Sequence, residues 1–501
     1  MPDSATPTHA DWLARARTID PPTRPWIDGD WADPVDGTSA PDITPRDGTA
    51  IAEVALGGAR DAERAVAAAR RAFDDGRWAD RTPAQRKAVL LRLADLVRAH
   101  ADELALLESL DVGHPIRDAL NVDVPGAATC LQWYAEAADK QYGETGPTGP
   151  DALSLVTREP LGVVAALVPW NYPLIISAWK LGPALATGNS VVLKPASQSP
   201  LTALRLAELA AEAGLPDGVL NVVPGPGATV GEALARDPRV DKIAFTGSID
   251  TGRHLLRAAA DSNLKPVQLE LGGKSPQLIL ADAPDLDAAA SAVGWGIFYN
   301  AGQTCNAGSR VLVQRGIRDA FLEKLVAFAD RMRPADPLDP RTVLGALVDR
   351  GHRDRVLEYV ALGRREGAAV LAGGDAVEPV AGGAYLAPTV LAGVRNDMRV
   401  AREEIFGPVV AVLEFDDPME GVAMANDSDY GLAAGLWTSD VRLAHRLSRR
   451  IRAGVVWVNT FDAADVTVPF GGFKQSGSGR DKSLHALDGY TQLKTTWMDL
   501  S

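Results

Sequence analysis

Four times between residues 162 and 260 a short, largely apolar run gives way to a helical pattern. Gly162–Val168 leads to Leu174–Thr187, Ser190–Lys194 to Leu201–Ala213, Val219–Val223 to Val230–Arg236, and Lys242–Phe245 to a helix ending at Ala260. A strand that is apolar on both faces has to be covered on both, and helices alternating with such strands do the covering. The pattern predicts a parallel, doubly wound α/β sheet of Rossmann type, with ligands held at the carboxyl ends of its strands.

The alternation resumes after Glu270. Pro276–Leu280, Val311–Val313, Val409–Phe415 and Val455–Asn459 read as strands, and Ile317–Arg331 and His352–Glu366 as helices, with a turn-rich break at Pro334–Leu338. A second α/β unit is therefore expected over 271–472. Ahead of the first unit, Pro25–Trp31 reads as a hairpin turning at Asp28-Gly29. Ala62–Phe73, Pro83–Leu110 and Val124–Lys140 read as helices, with Thr82-Pro83 as a start signal. Leu155–Arg158 is a short strand. The tail from Tyr490 to Trp497 alternates like an exposed strand and needs an edge, which another subunit's sheet would supply. The expected division is a loosely attached arm over 1–25, a dinucleotide-binding domain from 26–140 and 159–270, a catalytic domain over 271–472, and an oligomerisation element from 141–158 and 483–501.

Composition narrows the partners. A net charge of −14 disfavours nucleic acid and anionic membranes. Two cysteines in 501 residues are no disulfide framework and fit a reducing cytoplasm. No apolar run spans a bilayer: Leu161–Leu185 is broken by Pro169, Asn171, Pro173 and Lys180. The polar N-terminus has no apolar core of a signal peptide. No metal-ligating constellation is called for.

Cys305 lies in Asn300-Ala301-Gly302-Gln303-Thr304-Cys305-Asn306-Ala307-Gly308, behind the helical pattern Ala288–Phe298. A free thiol is commonly buried and structural, and Cys130, inside a helix, reads that way. For Cys305 the glycine-rich loop argues for exposure and a nucleophile. The seven histidines give no local cysteine–histidine signature, so a carboxylate is the better partner. Glu270 closes the apolar run Val267–Leu271 and is followed by Gly272-Gly273, where backbone approaches closely. It reads as a solvated strand-end residue or as a general base raised by burial. Asn171, between Pro169 and Pro173, reads as a turn asparagine or as an oxyanion donor beside the Cys305 N–H. Gly225-Pro226-Gly227-Ala228-Thr229-Val230-Gly231 follows a strand and opens a helix, a context for phosphate without the usual dinucleotide spacing. Lys194 and Ser197 end the second strand, where an adenosine ribose would lie. A glutamate there would repel a 2′-phosphate, and Ser197 carries no such charge.

Together these segments resemble the aldehyde dehydrogenase superfamily. The likeness runs from about Trp26 onward through Val168-Pro169-Trp170-Asn171, Lys194-Pro195-Ala196, Phe245-Thr246-Gly247-Ser248, Glu270-Leu271-Gly272-Gly273, Gly302-Gln303-Thr304-Cys305, Glu403-Glu404-Ile405-Phe406-Gly407-Pro408 and Pro469-Phe470-Gly471-Gly472-Phe473-Lys474. Gly479-Arg480-Asp481-Lys482-Ser483-Leu484-His485-Ala486-Leu487, with Tyr134–Ala137, Gly296–Asn300 and Ala444–Arg450, most resembles the γ-glutamyl-γ-aminobutyraldehyde dehydrogenase group of putrescine breakdown.

The resemblance implies that Cys305 is the nucleophile, Glu270 the hydrolytic base and Asn171 the oxyanion donor, with Lys180 and Asp481 assisting proton exit. It implies NAD or NADP held by Val168, Pro169, Trp170, Asn171, Lys194, Ser197, Gly227, Gly247, Ser248, Leu271, Glu404 and Phe406. Gly351-His352-Arg353-Asp354-Arg355 departs from the commoner Glu-Gln-Tyr-Asp-Lys pattern, so cofactor contacts there do not follow from the resemblance, and Ser197 replaces a common glutamate, so strict NAD preference does not follow either. Tyr172, Trp179, Phe298, Thr304, Asn306 and Phe461 are expected in a substrate tunnel, with Asp123, Asp462 and Asp465 near its mouth as carboxylates for an amino or guanidino group or as ordinary surface acids. The expected assembly is a homodimer or homotetramer acting on a small aldehyde. Rival readings are a broad-specificity, betaine or succinic semialdehyde dehydrogenase, a cysteine hydrolase without cofactor, and a non-catalytic binding or structural protein of the same fold.

Overall fold

A computed structural model describes residues 7–501. The first sheet runs in the order Val267–Leu271, Lys242–Gly247, Val163–Leu167, Ser190–Lys194, Leu220–Val222, then the hairpin strands Trp26–Ile27 and Asp30–Trp31. The first five pair in parallel, as fully apolar strands joined by helices must. Val163–Leu167 and Ser190–Lys194 are buried at every position. Each Val or Leu so removed from water contributes about 1.5–3 kcal/mol. One face is covered by helices that include Pro83–Ala99, Val124–Ala137, Pro173–Ala186 and Leu201–Glu212, the other by Ala59–Asp74, Glu232–Arg236 and Ile249–Ala260.

The second sheet runs Ala369–Ala372, Thr389–Ala392, Val409–Phe415, Arg310–Gln314, Pro276–Ile279, Ala433–Trp437, Val455–Val458, parallel except at its first pair. A third sheet of three strands joins Glu144–Gly146, Ala152–Pro160 and Thr491–Asp499. No helix among the described residues is long and apolar enough to cross a membrane.

Four local expectations change. The arm over 1–25 is not loose where it is described: His9–Thr18 is a helix with a Thr8–Asp11 capping box, its Trp12 is fully buried, and His9 Nε2 lies 3.0 Å from Asp336. Residues 1–6 of the arm lie outside the described residues. The pattern Pro83–Leu110 is two helices, Pro83–Ala99 and Ala101–Val112, because His100 at φ −100° and ψ 26° breaks the hydrogen-bond run. The glycine loop before Arg236 opens with a wide turn at Gly227–Gly231 and becomes α-helical at Glu232. The tail strand finds its edge in its own chain, pairing antiparallel with Ala152–Pro160 from Thr491↔Pro160 to Asp499↔Ala152.

Candidate active site

Cys305 follows a strained turn. Asn300 and Ala301 hold φ of 47° and 53° and Gly302 follows at 74°. Left-handed backbone costs a non-glycine residue roughly 1–3 kcal/mol and persists only where neighbours over-determine it. At Gly302 a side chain is also excluded, since a Cβ would lie 2.1 Å from the Gly407 carbonyl oxygen. A ring of side-chain amides does the fixing. Asn300 Nδ2 donates to the Asn171 carbonyl at 3.0 Å, and Asn171 Nδ2 to the Gln303 carbonyl at 2.8 Å. Gln303 Nε2 donates to the Asn300 carbonyl at 3.1 Å, while its Oε1 accepts from Val348 N at 2.8 Å. The cysteine loop is thus tied to the turn after Val163–Leu167. Asn171 spends one of its two amide hydrogens and keeps the other.

Glu270 lies in the strand Val267–Leu271, and neither of its carboxylate oxygens has a partner. Gly272 behind it lets the Glu404 carboxylate close in, since a Cβ there would lie 2.0 Å from Glu404 Oε2 and push that side chain aside. Burial raises the Glu270 pKa well above the ordinary carboxylate value, Asp481 adds to the rise, and Lys180 and Arg480 oppose it. Lys180 Nζ donates to Asp481 Oδ2 at 2.6 Å with both side chains fully buried. Gln268 Nε2 donates to Asp481 Oδ1 at 3.2 Å and Gln268 Oε1 accepts from Lys242 Nζ at 2.9 Å, so the pair continues into a buried polar chain. Desolvation pushes the Cys305 thiol up, with Glu404 and Glu270 adding, while the Asn306 N–H works the other way. Both the thiol and the carboxylate are thus raised by burial, on a wall that two cavities share.

Two cavities meet at these residues. A cavity of about 160 Å³ is walled by Tyr172, Ile175, Ile176, Trp179, Thr304, Asn306, Trp457, Asp462 and Phe470. A second of about 360 Å³ is walled by Pro169, Trp170, Asn171, Gly247, Ser248, His352, Arg355, Tyr359, Glu404 and Phe406. Cys305, Glu270, Leu271, Thr246 and Ile176 border both. In the second, Trp170 meets Phe406 and His352 edge-on at 5.3 and 5.4 Å, and His352 Nε2 lies 2.6 Å from the Phe406 carbonyl oxygen.

This second cavity fits a dinucleotide. It offers the rings of Trp170 and Phe406, set at 90° to one another, and Thr246 Oγ1 and both Glu270 oxygens without protein partners. Ser248 caps the helix Ile249–Ala260, accepting from Thr251 N at 3.3 Å. Glu404 Oε1 accepts from Gly273 N at 3.0 Å, and burial raises its pKa to about 7. Lys194, its pKa lowered by burial to about 8, donates to the Pro195 carbonyl at 2.7 Å. Val168, Lys194, Ser197 and Gly227 do not wall this cavity. Ser197 is exposed at a neighbouring one with Asp349 and Arg350, and its hydroxyl donates to the Gly225 carbonyl at 3.3 Å.

Of the nine expected tunnel residues, Tyr172, Trp179, Thr304, Asn306 and Asp462 wall the first cavity, and the Tyr172 and Thr304 hydroxyls lie 2.8 Å apart. The other four do not. Asp123 is fully buried with its Oδ2 2.5 Å from His114 Nδ1, because the chain widens into a π-turn at Ala119–Asp123 that aims it inward. Its neighbour Val122 reaches the cavity instead. Phe298 faces the second core, stacked 6.5 Å from Phe328. Phe461 packs on Trp457 at 4.7 Å, and Trp457 supplies the wall. Asp465 is exposed and accepts from Thr467 N at 2.8 Å. Sequence reasoning missed Tyr299, Trp457 and Lys482 in the first cavity and Tyr359 in the second, and it left open whether the segment holding His352 and Arg355, which wall the second, meets a cofactor. The period of a helix could have exposed His352, Arg355 and Tyr359, which share one face of Arg350–Glu366.

Comparison with known proteins agrees with this geometry. The aldehyde dehydrogenase family profile matches residues 31–496. The chain is 50% identical over 491 residues to the NADP/NAD-dependent aldehyde dehydrogenase PuuC of Escherichia coli (strain K12), covering 98% of each. A crystal structure of γ-glutamyl-γ-aminobutyraldehyde dehydrogenase from Burkholderia cenocepacia J2315 is 55% identical and superposes with a TM-score of 0.97, covering 99% of this chain and 100% of that one. An indole-3-acetaldehyde dehydrogenase solved with NAD+ is 53% identical with a TM-score of 0.98 over the same shares. With a thiol and a carboxylate on the wall shared by two cavities, and whole-chain likeness of this degree, the chain belongs to the aldehyde dehydrogenase family.

Proposed function

We propose that this protein oxidises an aldehyde to its carboxylate with NAD or NADP, and that the aldehyde carries an amino or γ-glutamylamino group from polyamine (putrescine) breakdown. The observation that carries the chemistry is the shared wall: Cys305 and Glu270 border both cavities, so a carbonyl in the first faces a cofactor in the second across the thiol. The nicotinamide supplies the acceptor for the hydride. Trp170, Gly247, Ser248, Leu271, Glu404 and Phe406 hold and orient it, with Val168, Pro169, Lys194, Ser197 and Gly227 toward the adenosine end.

Glu270 accepts the thiol proton and the Cys305 sulfur bonds to the carbonyl carbon. The free amide hydrogen of Asn171 and the Cys305 N–H stabilise the oxyanion of this thiohemiacetal. Loss of hydride leaves a thioester on Cys305. Once the thiol proton has left Glu270 by way of Asp481 and Lys180, the freed carboxylate takes a proton from water, whose oxygen adds to the thioester carbonyl and expels the Cys305 thiolate, releasing the carboxylate product. Asp481 and Lys180 offer that proton a buried exit. A water-activating base favours hydrolysis over transfer to a thiol cofactor. The aromatic and aliphatic walls at Tyr172, Trp179, Trp457 and Phe470 keep the reaction dry.

The amino-substituted substrate is supported by Asp462 in the first cavity and by the relatives' names. The other edge of the tail strand leaves Leu493 at 62% and Trp497 at 64% exposure, which supports a homodimer or homotetramer closed over it. Two free cysteines support a cytoplasmic setting. Formation of reduced nicotinamide, measured with γ-glutamyl-γ-aminobutyraldehyde, γ-aminobutyraldehyde, guanidinobutyraldehyde, betaine aldehyde, succinic semialdehyde and hexanal, tests both parts. Cys305→Ala should abolish turnover and leave cofactor affinity nearly intact. Retained turnover overturns the nucleophile, and a flat substrate profile overturns the polyamine assignment.

A further inference from the structure

One charge in the first cavity takes no part in the chemistry above. Lys482 borders the same space as Cys305, Trp179 and Asp462, and it is 6% exposed. Its backbone is left-handed at φ 60°, and Ser483 follows at 52°. The fold clamps this unfavourable pair, with Ser483 N donating to the Val466 carbonyl at 2.7 Å and Tyr134 Oη to the Ser483 carbonyl at 3.2 Å. The backbone that carries this side chain therefore has a fixed position. The ammonium lies 5.3 Å from the Trp179 ring centre and 5.5 Å from that of Phe470.

No hydrogen-bond acceptor and no carboxylate within 4.0 Å takes this ammonium among the described residues. Other buried lysines spend theirs on the protein: Lys180 on Asp481, Lys242 on Gln268, Lys194 on Pro195, Lys265 on Ala235. Lys274, also without an acceptor, does not border this cavity. Unlike the sealed nitrogen of Lys274, the Lys482 nitrogen is open to the cavity, with two aromatic faces as its protein contacts. An anion entering this cavity with a substrate would meet an ammonium that no protein acceptor already holds. Opposite in sign, Asp462 stands in the same wall, fixed by Asn306 Nδ2 at 2.6 Å. Burial lowers the Lys482 pKa, and Asp462 and Asp465 oppose that fall.

We infer that Lys482 anchors a carboxylate at the far end of the aldehyde while Asp462 takes an ammonium beside it, so that the cavity selects aldehydes ending in an amino-acid group over those bearing a cation alone. This rests on the dehydrogenase reading and narrows its substrate. Lys482 is a specificity residue and touches no reacting atom.

The test is a cycle of kcat/KM values. The substrates are γ-glutamyl-γ-aminobutyraldehyde, the same compound with its α-carboxylate as carboxamide, γ-aminobutyraldehyde and hexanal. The enzymes are the natural protein, Lys482→Met and Lys482→Arg. In the natural protein the carboxamide should be poorer than the carboxylate by about 30-fold, carried mainly by KM. In Lys482→Met that ratio should fall to about threefold or less, and Lys482→Arg should restore most of it. An unchanged ratio in Lys482→Met, or an equal loss on all four aldehydes, overturns the anchor. Absence of any preference for the carboxylate in the natural protein overturns it without a variant and leaves the dehydrogenase reading standing if hexanal is oxidised. No oxidation of any aldehyde overturns both.

Discussion

Replacing Asp481 by asparagine separates the charge that tunes Glu270 from the shape that surrounds it. Asp481 is fully buried, receives Lys180 at 2.6 Å, and is the second cause of the raised Glu270 pKa, after burial. The substitution removes a negative neighbour and leaves the Lys180 charge to favour ionised Glu270. Both changes lower the Glu270 pKa. A charge a few ångströms from a carboxylate moves its pKa by about 1–3 units when the two are opposite in sign, and a like charge acts in the reverse direction. Lys180 already compensates part of Asp481, so the low end, about one unit or 1.4 kcal/mol, is expected. Glu270 works only as the carboxylate, so hydrolysis of the thioester is lost as pH falls through its pKa. The acid limb of kcat should therefore move about one unit lower in Asp481→Asn. One unit below the natural midpoint, the variant should keep roughly five times more of its own plateau than the natural protein keeps of its own. The plateau should fall, since a proton exit is gone. Losing one partner of a buried pair should also cost about 3–5 kcal/mol of stability, read by denaturant unfolding. Rapid-mixing measurement of the reduced-nicotinamide burst and of the steady rate, across pH, isolates the hydrolytic limb. An acid limb that stays in place or moves upward refutes the coupling of Asp481 to Glu270.

Two further outcomes follow from the same geometry. Asn171→Ala should lower kcat by about 10²–10³, through loss of the oxyanion donor and of the bond to the Gln303 carbonyl, and the hydride-transfer burst should slow with it; a burst at the natural rate excludes that role. Ser197→Glu should cut kcat/KM with NADP relative to NAD by about tenfold, the worth of roughly 1.4 kcal/mol of repulsion near an exposed 2′-phosphate; an unchanged ratio means the adenosine end lies elsewhere.

The alternating strands were readable because an all-apolar run has to be covered twice, and the cysteine loop because its glycines stand out locally, although the reason no Cβ fits at Gly302 is the distant Gly407 carbonyl. What escaped was set by distant partners. Asp123 reads as a surface acid until the π-turn swings it onto His114. Phe298 and Phe461 differ from Trp457 only in which way a helix face or loop turns, and that depends on Phe328 and on each other. Trp12 gives no periodic signal in a polar segment, and its burial comes from a core assembled by later helices. Lys482, between Asp481 and Ser483, looks like surface charge, and only tertiary packing on Trp179 and Phe470 reveals it as an interior cation.

The tail strand has a consequence for how the protein is made. Its nine residues complete a sheet begun at Glu144, and Arg158 bonds Asp488 across 330 residues of chain. At about 5–20 residues per second, synthesis of that interval takes roughly 15–65 s. Throughout it the strand Ala152–Pro160 presents an unpaired edge on the emerging protein, and Lys180 waits without Asp481. The polar chain of Lys180, Gln268 and Asp481 thus closes only once Asp481 has left the ribosome, and a nascent chain truncated before it would hold Cys305 and Glu270 with Lys180 still unpaired.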